Sequence, residues 1–132
     1  MKTGIIILFH GSRAEGADDA VRRIIAEVRQ RGGYDIVTEA FLQHASPGLS
    51  ESVQRCVQQQ VGKIVIVPFF MQSGAHVTKD IPAVVEEARK RHPAVDFKVT
   101  DFVGSHPLIT EIVLDLIGKN SEKDYAISKR TA

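Results

Sequence analysis

Cysteine is nearly absent: Cys56 stands alone in a chain of 132 residues. One thiol excludes an internal disulfide framework and a cysteine zinc cluster. Charge of one sign is missing too, with 17 Lys and Arg against 16 Asp and Glu, a formal net charge of +1. That balance, without a basic run, argues against nucleic acid as the main partner. Long hydrophobic runs are lacking as well. None approaches the roughly 20 residues of a membrane span, and the first, Gly4 to Phe9, ends at His10. It is also too short for a signal-peptide core, with no small-residue cleavage site after it. The expectation is a soluble cytoplasmic protein with a single domain, long enough to bury a core and short for two.

Several catalytic signatures are missing. No Gly-x-Ser-x-Gly elbow presents a nucleophile, and Ser12 has no evident base beyond its neighbour His10. No Gly-x-Gly-x-x-Gly fingerprint marks a dinucleotide site. Gly11 and Gly16 have the spacing of a phosphate loop, but Ala17-Asp18 follow where that loop needs Lys and Ser or Thr.

What the chain does contain is short apolar runs alternating with segments of helical period. The runs are Gly4–Phe9, Ile36–Leu42, Ile64–Phe70 and Phe97–Val103. Runs apolar on both faces suit parallel strands covered by helices on each side. Between and after them, Val21, Ile24, Ile25 and Val28 form one helical stripe, and Leu49, Val53, Cys56 and Val57 a second. Ile81, Val84, Val85 and Ala88, then Ile109, Ile112, Val113 and Leu116, form two more. Gly32-Gly33, Gly62 and Gly118 are placed to close the first, second and fourth helices. Asp80 and Ser105 are candidate caps for the third and fourth, with Pro82 and Pro107 in their first turns.

The order βαβαβαβα gives an α/β domain over residues 1–118, followed by a polar tail over 119–132. Right-handed crossovers favour an open parallel four-stranded sheet in the order 2-1-3-4, with helices on both faces. Strand order then reverses between the first and third strands, and ligands of such sheets bind at that crevice, beyond the strand C-termini. His10 ends the first strand and His76 lies in the loop after the third.

The segment from Pro68 to His76, between the third strand and its helix, exceeds the usual ~2–6 residues of a βα connection, and over-long loops are often functional. Phe69, Phe70 and Met71 would give a flat ligand an apolar wall, unless the rings serve the core. Each remaining histidine has an ordinary role open to it. His44 follows the second strand near the mouth. His92 sits at a polar helix end, and His106, read as ending the fourth strand, suits capping or positioning. Cys56 falls on an apolar stripe and reads as core.

The segments Ile7-Leu8-Phe9-His10-Gly11-Ser12-Arg13, Phe41-Leu42-Gln43-His44-Ala45-Ser46-Pro47, Val67-Pro68-Phe69-Phe70 through Gly74-Ala75-His76 to Asp80-Ile81-Pro82, and Gly104-Ser105-His106-Pro107-Leu108 occur in that order. Together they resemble the short-form sirohydrochlorin cobaltochelatases (CbiX type) of the class II chelatases. The resemblance implies a flavodoxin-like, chelatase-like domain, half of the usual two-domain enzyme, pairing as a homodimer. It implies insertion of Co²⁺ into sirohydrochlorin during anaerobic cobalamin synthesis, with no permanently bound cofactor. His10 and His76 align with the metal-handling histidines, and His10 also with the proton acceptor. Ser46 and Met71, Gln72, Ser73, Gly74 and Ala75 align with tetrapyrrole-contacting positions. Many relatives carry Glu where this chain has Gln43 or Ser46, which leaves Glu39 as a candidate auxiliary carboxylate.

The chemistry suits these residues. Two neutral imidazoles accept Co²⁺, Ni²⁺ or Fe²⁺ and leave coordination positions open for pyrrole nitrogens. An imidazole can also take a pyrrole proton at neutral pH. Arg13 and backbone N–H groups suit the carboxylates on the macrocycle's rim. Three rival readings stand beside this one: nickel insertion for coenzyme F430, iron insertion for siroheme, and a non-catalytic flavodoxin-like module binding a metal or cofactor.

Overall fold

The computed structural model describes residues 1–12 and 18–122. Four strands, β1 (Thr3–Phe9), β2 (Ile36–Phe41), β3 (Lys63–Pro68) and β4 (Asp96–Val99), alternate with four helices, α1 (Asp18–Gly32), α2 (Leu49–Gln58), α3 (Ile81–Arg91) and α4 (Leu108–Glu122). The sheet is parallel throughout, in the order β2-β1-β3-β4. This is the order that right-handed crossovers predict.

Alternation along the strands divides the core in two. Ile6, Leu8, Ala40, Ile64, Ile66 and Phe97 face α2 and α3, packing on Leu49, Val53, Cys56, Ile81, Val85 and Ala88. Ile5, Ile7, Phe9, Val37 and Phe41 face α1 and pack on Ile25. Central β1 is buried on both sides, which is why its run of isoleucine and leucine is unbroken. Ser52 is the one buried polar residue among those described, and its hydroxyl donates to the Glu39 carbonyl at 2.7 Å.

Cys56 belongs to the α2 side of the core, and burial pushes its thiol up to about 11. A thiol so shielded stays protonated at neutral pH and is no nucleophile. A thiol-specific reagent is therefore expected to label the protein only after denaturant is added. Rapid stoichiometric labelling of the native protein would contradict this packing.

Punctuation departs from the sequence expectations at four places. Gly33 does take a left-handed conformation (φ 70°) just past α1, but after α2 the left-handed residue is Gln60 (φ 64°), not Gly62. Asp80 does not begin α3 as a cap. A π-helical turn, η1 (His76–Asp80), runs directly into α3, so Asp80 already has helical angles. β4 ends at Val99, and Val103–Ser105 form a short 3₁₀ turn, so His106 does not end that strand. There it is His106, not Ser105, that caps: the Leu108 N–H donates to its Nδ1 at 3.1 Å, while the Ser105 hydroxyl turns back to the Phe102 carbonyl.

The fourth helix differs most. It continues past Gly118 to Glu122, and every residue from Thr110 to Lys119 is exposed. Neither half of the core draws on it. Leu108, Ile112, Val113, Leu114, Leu116 and Ile117 are each between 50% and 60% exposed.

Candidate functional site at the carboxyl edge of the sheet

The sheet order makes β1 and β3 neighbours, and the chain leaves them in different directions. A crevice therefore opens at their carboxyl ends. His10 is the first residue beyond β1 and its side chain is exposed. The ladder with β2 continues past the strands: Leu42 N–H donates to the Phe9 carbonyl at 3.0 Å and Gln43 N–H to the His10 carbonyl at 3.1 Å.

Gly11 then turns the chain at φ 97°, and a Cβ there would lie 1.8 Å from the Gln43 carbonyl oxygen. Only glycine allows this approach. It sets the chain after His10 directly against the end of β2. The imidazole is flanked on two sides. Gln43 brings its side-chain nitrogen to 2.8 Å from His10 Nε2. Phe70 presents its ring edge-on, with centroids 6.4 Å apart at 83°.

After β3 the chain crosses the mouth as Phe69, Phe70, Met71, Gln72, Ser73, Gly74 and Ala75. Phe69 packs on Phe9 with ring centroids 5.1 Å apart, and Phe70 packs against the α2–α3 half of the core. Both rings therefore serve the core as well as the mouth. Met71 to Ala75 are all exposed. Gly104 pins this segment, its N–H donating to the Phe70 carbonyl at 2.9 Å. A Cβ on Gly104 would sit 2.0 Å from the Met71 carbonyl oxygen. Gly104 thus positions the loop, a role that the motif Gly104-Ser105-His106-Pro107-Leu108 does not reveal by itself. At the far end, the Thr78 N–H and hydroxyl both donate to the Gly74 carbonyl, at 3.0 and 3.1 Å.

His76 opens η1 on the carboxyl side of β3, the strand paired with β1. A π-helical turn is a rare element found often at functional sites. Among the described residues, no group of three or more His, Cys, Asp or Glu is gathered to hold a metal ion.

The other candidates fall in separate places. Gln43 lines a cleft of about 450 Å³ with Leu42, Glu51, Asp80 and Ile81, between α2 and the start of α3. Ser46 and Glu39 line a different cavity, of about 500 Å³, on the α1 face with Arg22 and Arg29. Glu39 is thus turned away from the α2–α3 face. His44 is exposed in a left-handed conformation (φ 65°). His92 closes α3, remote from the mouth. Arg13 lies outside the described residues.

Comparison with known proteins agrees with this architecture. The CbiX family profile matches residues 4–120. A sirohydrochlorin cobaltochelatase of Methanosarcina acetivorans is 30% identical over 125 residues, covering 92% of this chain and 96% of its own. A chloroplastic sirohydrochlorin ferrochelatase of Arabidopsis thaliana is 32% identical over 114 residues, 86% of this chain but 51% of that protein. The chain thus spans about half the length of some of the curated relatives it matches.

Among solved structures, a cobalamin biosynthesis CbiX protein from Marinobacter aquaeolei superposes with a TM-score of 0.76 at 25% identity, over 91% of this chain and 98% of that one. The sirohydrochlorin chelatase SirB from Bacillus subtilis, in complex with cobalt, shares the fold with a TM-score of 0.83 at 22% identity. It is matched over 91% of this chain and 51% of its own. The motifs, the sheet order and the profile match over nearly the whole chain agree: this chain belongs to the CbiX family.

Proposed function

We propose that the chain is a sirohydrochlorin chelatase that inserts Co²⁺ in anaerobic cobalamin synthesis. The observation that carries the reading is His10, exposed at the carboxyl end of the central strand, with its ring held between Gln43 and Phe70. A neutral imidazole at a topological switch point can ligate a borderline divalent cation and then accept a proton. His76, from the neighbouring strand's loop, is the second ligand.

The macrocycle lies against the exposed segment Met71 to Ala75. Ser46 and Arg13 hold its carboxylate rim. Metal insertion replaces two pyrrole N–H bonds with metal–nitrogen bonds, so two protons must leave. His10 takes one at Nε2 as it releases the ion, and solvent water takes the other. Each ligand atom gained from the macrocycle displaces one from water or imidazole, and two protein ligands keep the ion loosely enough held to be passed on.

Cobalt is favoured by the likeness to the Methanosarcina acetivorans protein, nearly all of whose length is matched. Iron is the second reading, favoured by the likeness to the Arabidopsis ferrochelatase. Imidazole ligands alone do not separate these metals. The experiment mixes purified protein, sirohydrochlorin and one of Co²⁺, Ni²⁺ or Fe²⁺ anaerobically and follows the absorption spectrum. The fastest protein-dependent change is expected with Co²⁺. Insertion no faster than without protein, for every metal, would reduce the chain to a binding module.

The functional unit is a homodimer, and the support comes from α4. At 3.6 residues per turn its apolar residues Leu108, Ile109, Ile112, Val113, Leu114, Leu116 and Ile117 occupy roughly 240° of the helix circumference. A helix lying on one sheet needs an apolar stripe of only about 100°. Glu111, Asp115 and Gly118 fill the remaining arc, and Lys119, at the margin of the apolar arc, pairs with Asp115 at 3.1 Å. A second copy of the chain supplies the additional cover.

A further inference from the structure

The contact at His10 Nε2 has a chemical consequence of its own. Gln43 Nε2 lies 2.8 Å from that ring nitrogen. An amide nitrogen is a donor only, so the ring nitrogen facing it must accept, and a neutral imidazole accepts only at the nitrogen without a proton. We propose that Gln43 is a positioning residue for His10: its amide donates to Nε2, fixes the metal-free ring as the Nδ1–H tautomer, and reserves the Nε2 lone pair for a divalent cation that displaces the amide. The last clause rests on the reading of His10 as a metal ligand.

The geometry makes Gln43 a fixed partner. Its N–H donates to the His10 carbonyl at 3.1 Å, and its own carbonyl is packed against Gly11. The backbones of residues 10–11 and 43 are therefore locked together, and the side chain needs to find only its own rotamer. Phe70 stands edge-on to the imidazole and limits its rotation. The amide also has somewhere to go, because Gln43 lines the cleft shared with Leu42, Glu51, Asp80 and Ile81. A cation at Nε2 can push the amide into that space without moving the backbone.

A carboxylate at the same position would act in the opposite sense. Ionised glutamate is an acceptor only, so it would draw the ring proton to Nε2 and cover the lone pair with hydrogen. Glutamine holds that nitrogen open, while alanine would leave the tautomer unbiased from this side.

The test is ¹⁵N NMR of histidine-labelled, metal-free protein at about pH 8, where free imidazole is neutral. The His10 signals are assigned by their loss in His10→Ala. The wild type is expected to show Nε2 unprotonated, Gln43→Ala a larger share of Nε2–H than the wild type, and Gln43→Glu predominantly Nε2–H. The same tautomer in all three proteins, or Nε2–H in the wild type, would overturn the proposal. Both side chains are exposed, so melting temperatures are expected to stay at the wild-type value, and Gln43→Ala alone can decide the question. Zn²⁺ added as a diamagnetic probe is expected to shift the wild-type Nε2 resonance. An unshifted Nε2 would remove His10 as a ligand and the displacement step with it, while the metal-free spectra would still judge the tautomer.

Discussion

His10→Ala is expected to lower the rate of protein-dependent metal insertion by about 10²–10⁴-fold, the range typical for removing a general base. On the proposed reading it has two roles to lose, holding the ion and taking a proton. His76→Ala is expected to fall nearly as far through loss of the second ligand. His10→Ala should cost little stability, because the His10 side chain is exposed and leaves no cavity when cut back. His92→Ala is the control, because His92 closes α3 remote from the mouth. The measurement is the initial rate of spectral change for the four proteins, with melting temperature alongside. Near-wild-type rates for His10→Ala and His76→Ala would return the chain to a binding domain of unknown ligand.

A charge on the apolar arc of α4 is expected to abolish self-association. Six large side chains there are about half exposed or more, and covering each gains on the order of 1 kcal/mol. An isolated helix of 15 residues is marginal in water, so the cover also stabilises the helix itself. Ile112→Glu with Leu116→Glu would place unpaired carboxylates in such an interface, at a penalty of several kcal/mol per buried ion. Since about 1.4 kcal/mol is tenfold in affinity, a micromolar dimer would become monomeric. Light scattering at micromolar concentration is expected to give a dimer for the wild type and a monomer for the double variant. Glutamate is a good helix former, so helical content should persist. A wild-type monomer at that concentration would refute the dimer and imply that α4 folds back onto its own sheet.

Much of the architecture was legible because it depends on local pattern. The four apolar runs predict the four strands, and four helical stripes predict the helices, since periods of 2 and 3.6 place side chains on opposite sheet faces and on single helix faces. Right-handed crossovers then leave β2-β1-β3-β4 as the natural order, with His10 and the His76 loop at its switch point. The boundaries were less legible. β4 stops at Val99, where polar Thr100 and Asp101 follow, although apolar Phe102 and Val103 come after them and lead into a 3₁₀ turn. Asp80 looks like a cap in sequence, yet the preceding π-helical turn carries the helix back to His76. A side chain that caps in one context simply continues the helix when the turn before it is already wound.

The sequence by itself determined the fold class, the sheet order, the inward faces of α1, α2 and α3 and the two histidines worth testing. Each follows from periodicity, chirality or residue chemistry, which act over a few neighbours along the chain. The tertiary structure decided which groups meet. It set Gln43 against the His10 ring, laid Gly104 under the Met71 carbonyl, and put Ser46 and Glu39 in a cavity apart from Gln43. It also left α4 exposed from Thr110 to Lys119, though its apolar stripe looked like those of the helices that pack. Contacts such as Gln43 to His10 join residues 33 apart in the chain. They depend on how β1 and β2 align in register and how Gly11 turns, and no short stretch of sequence carries that information.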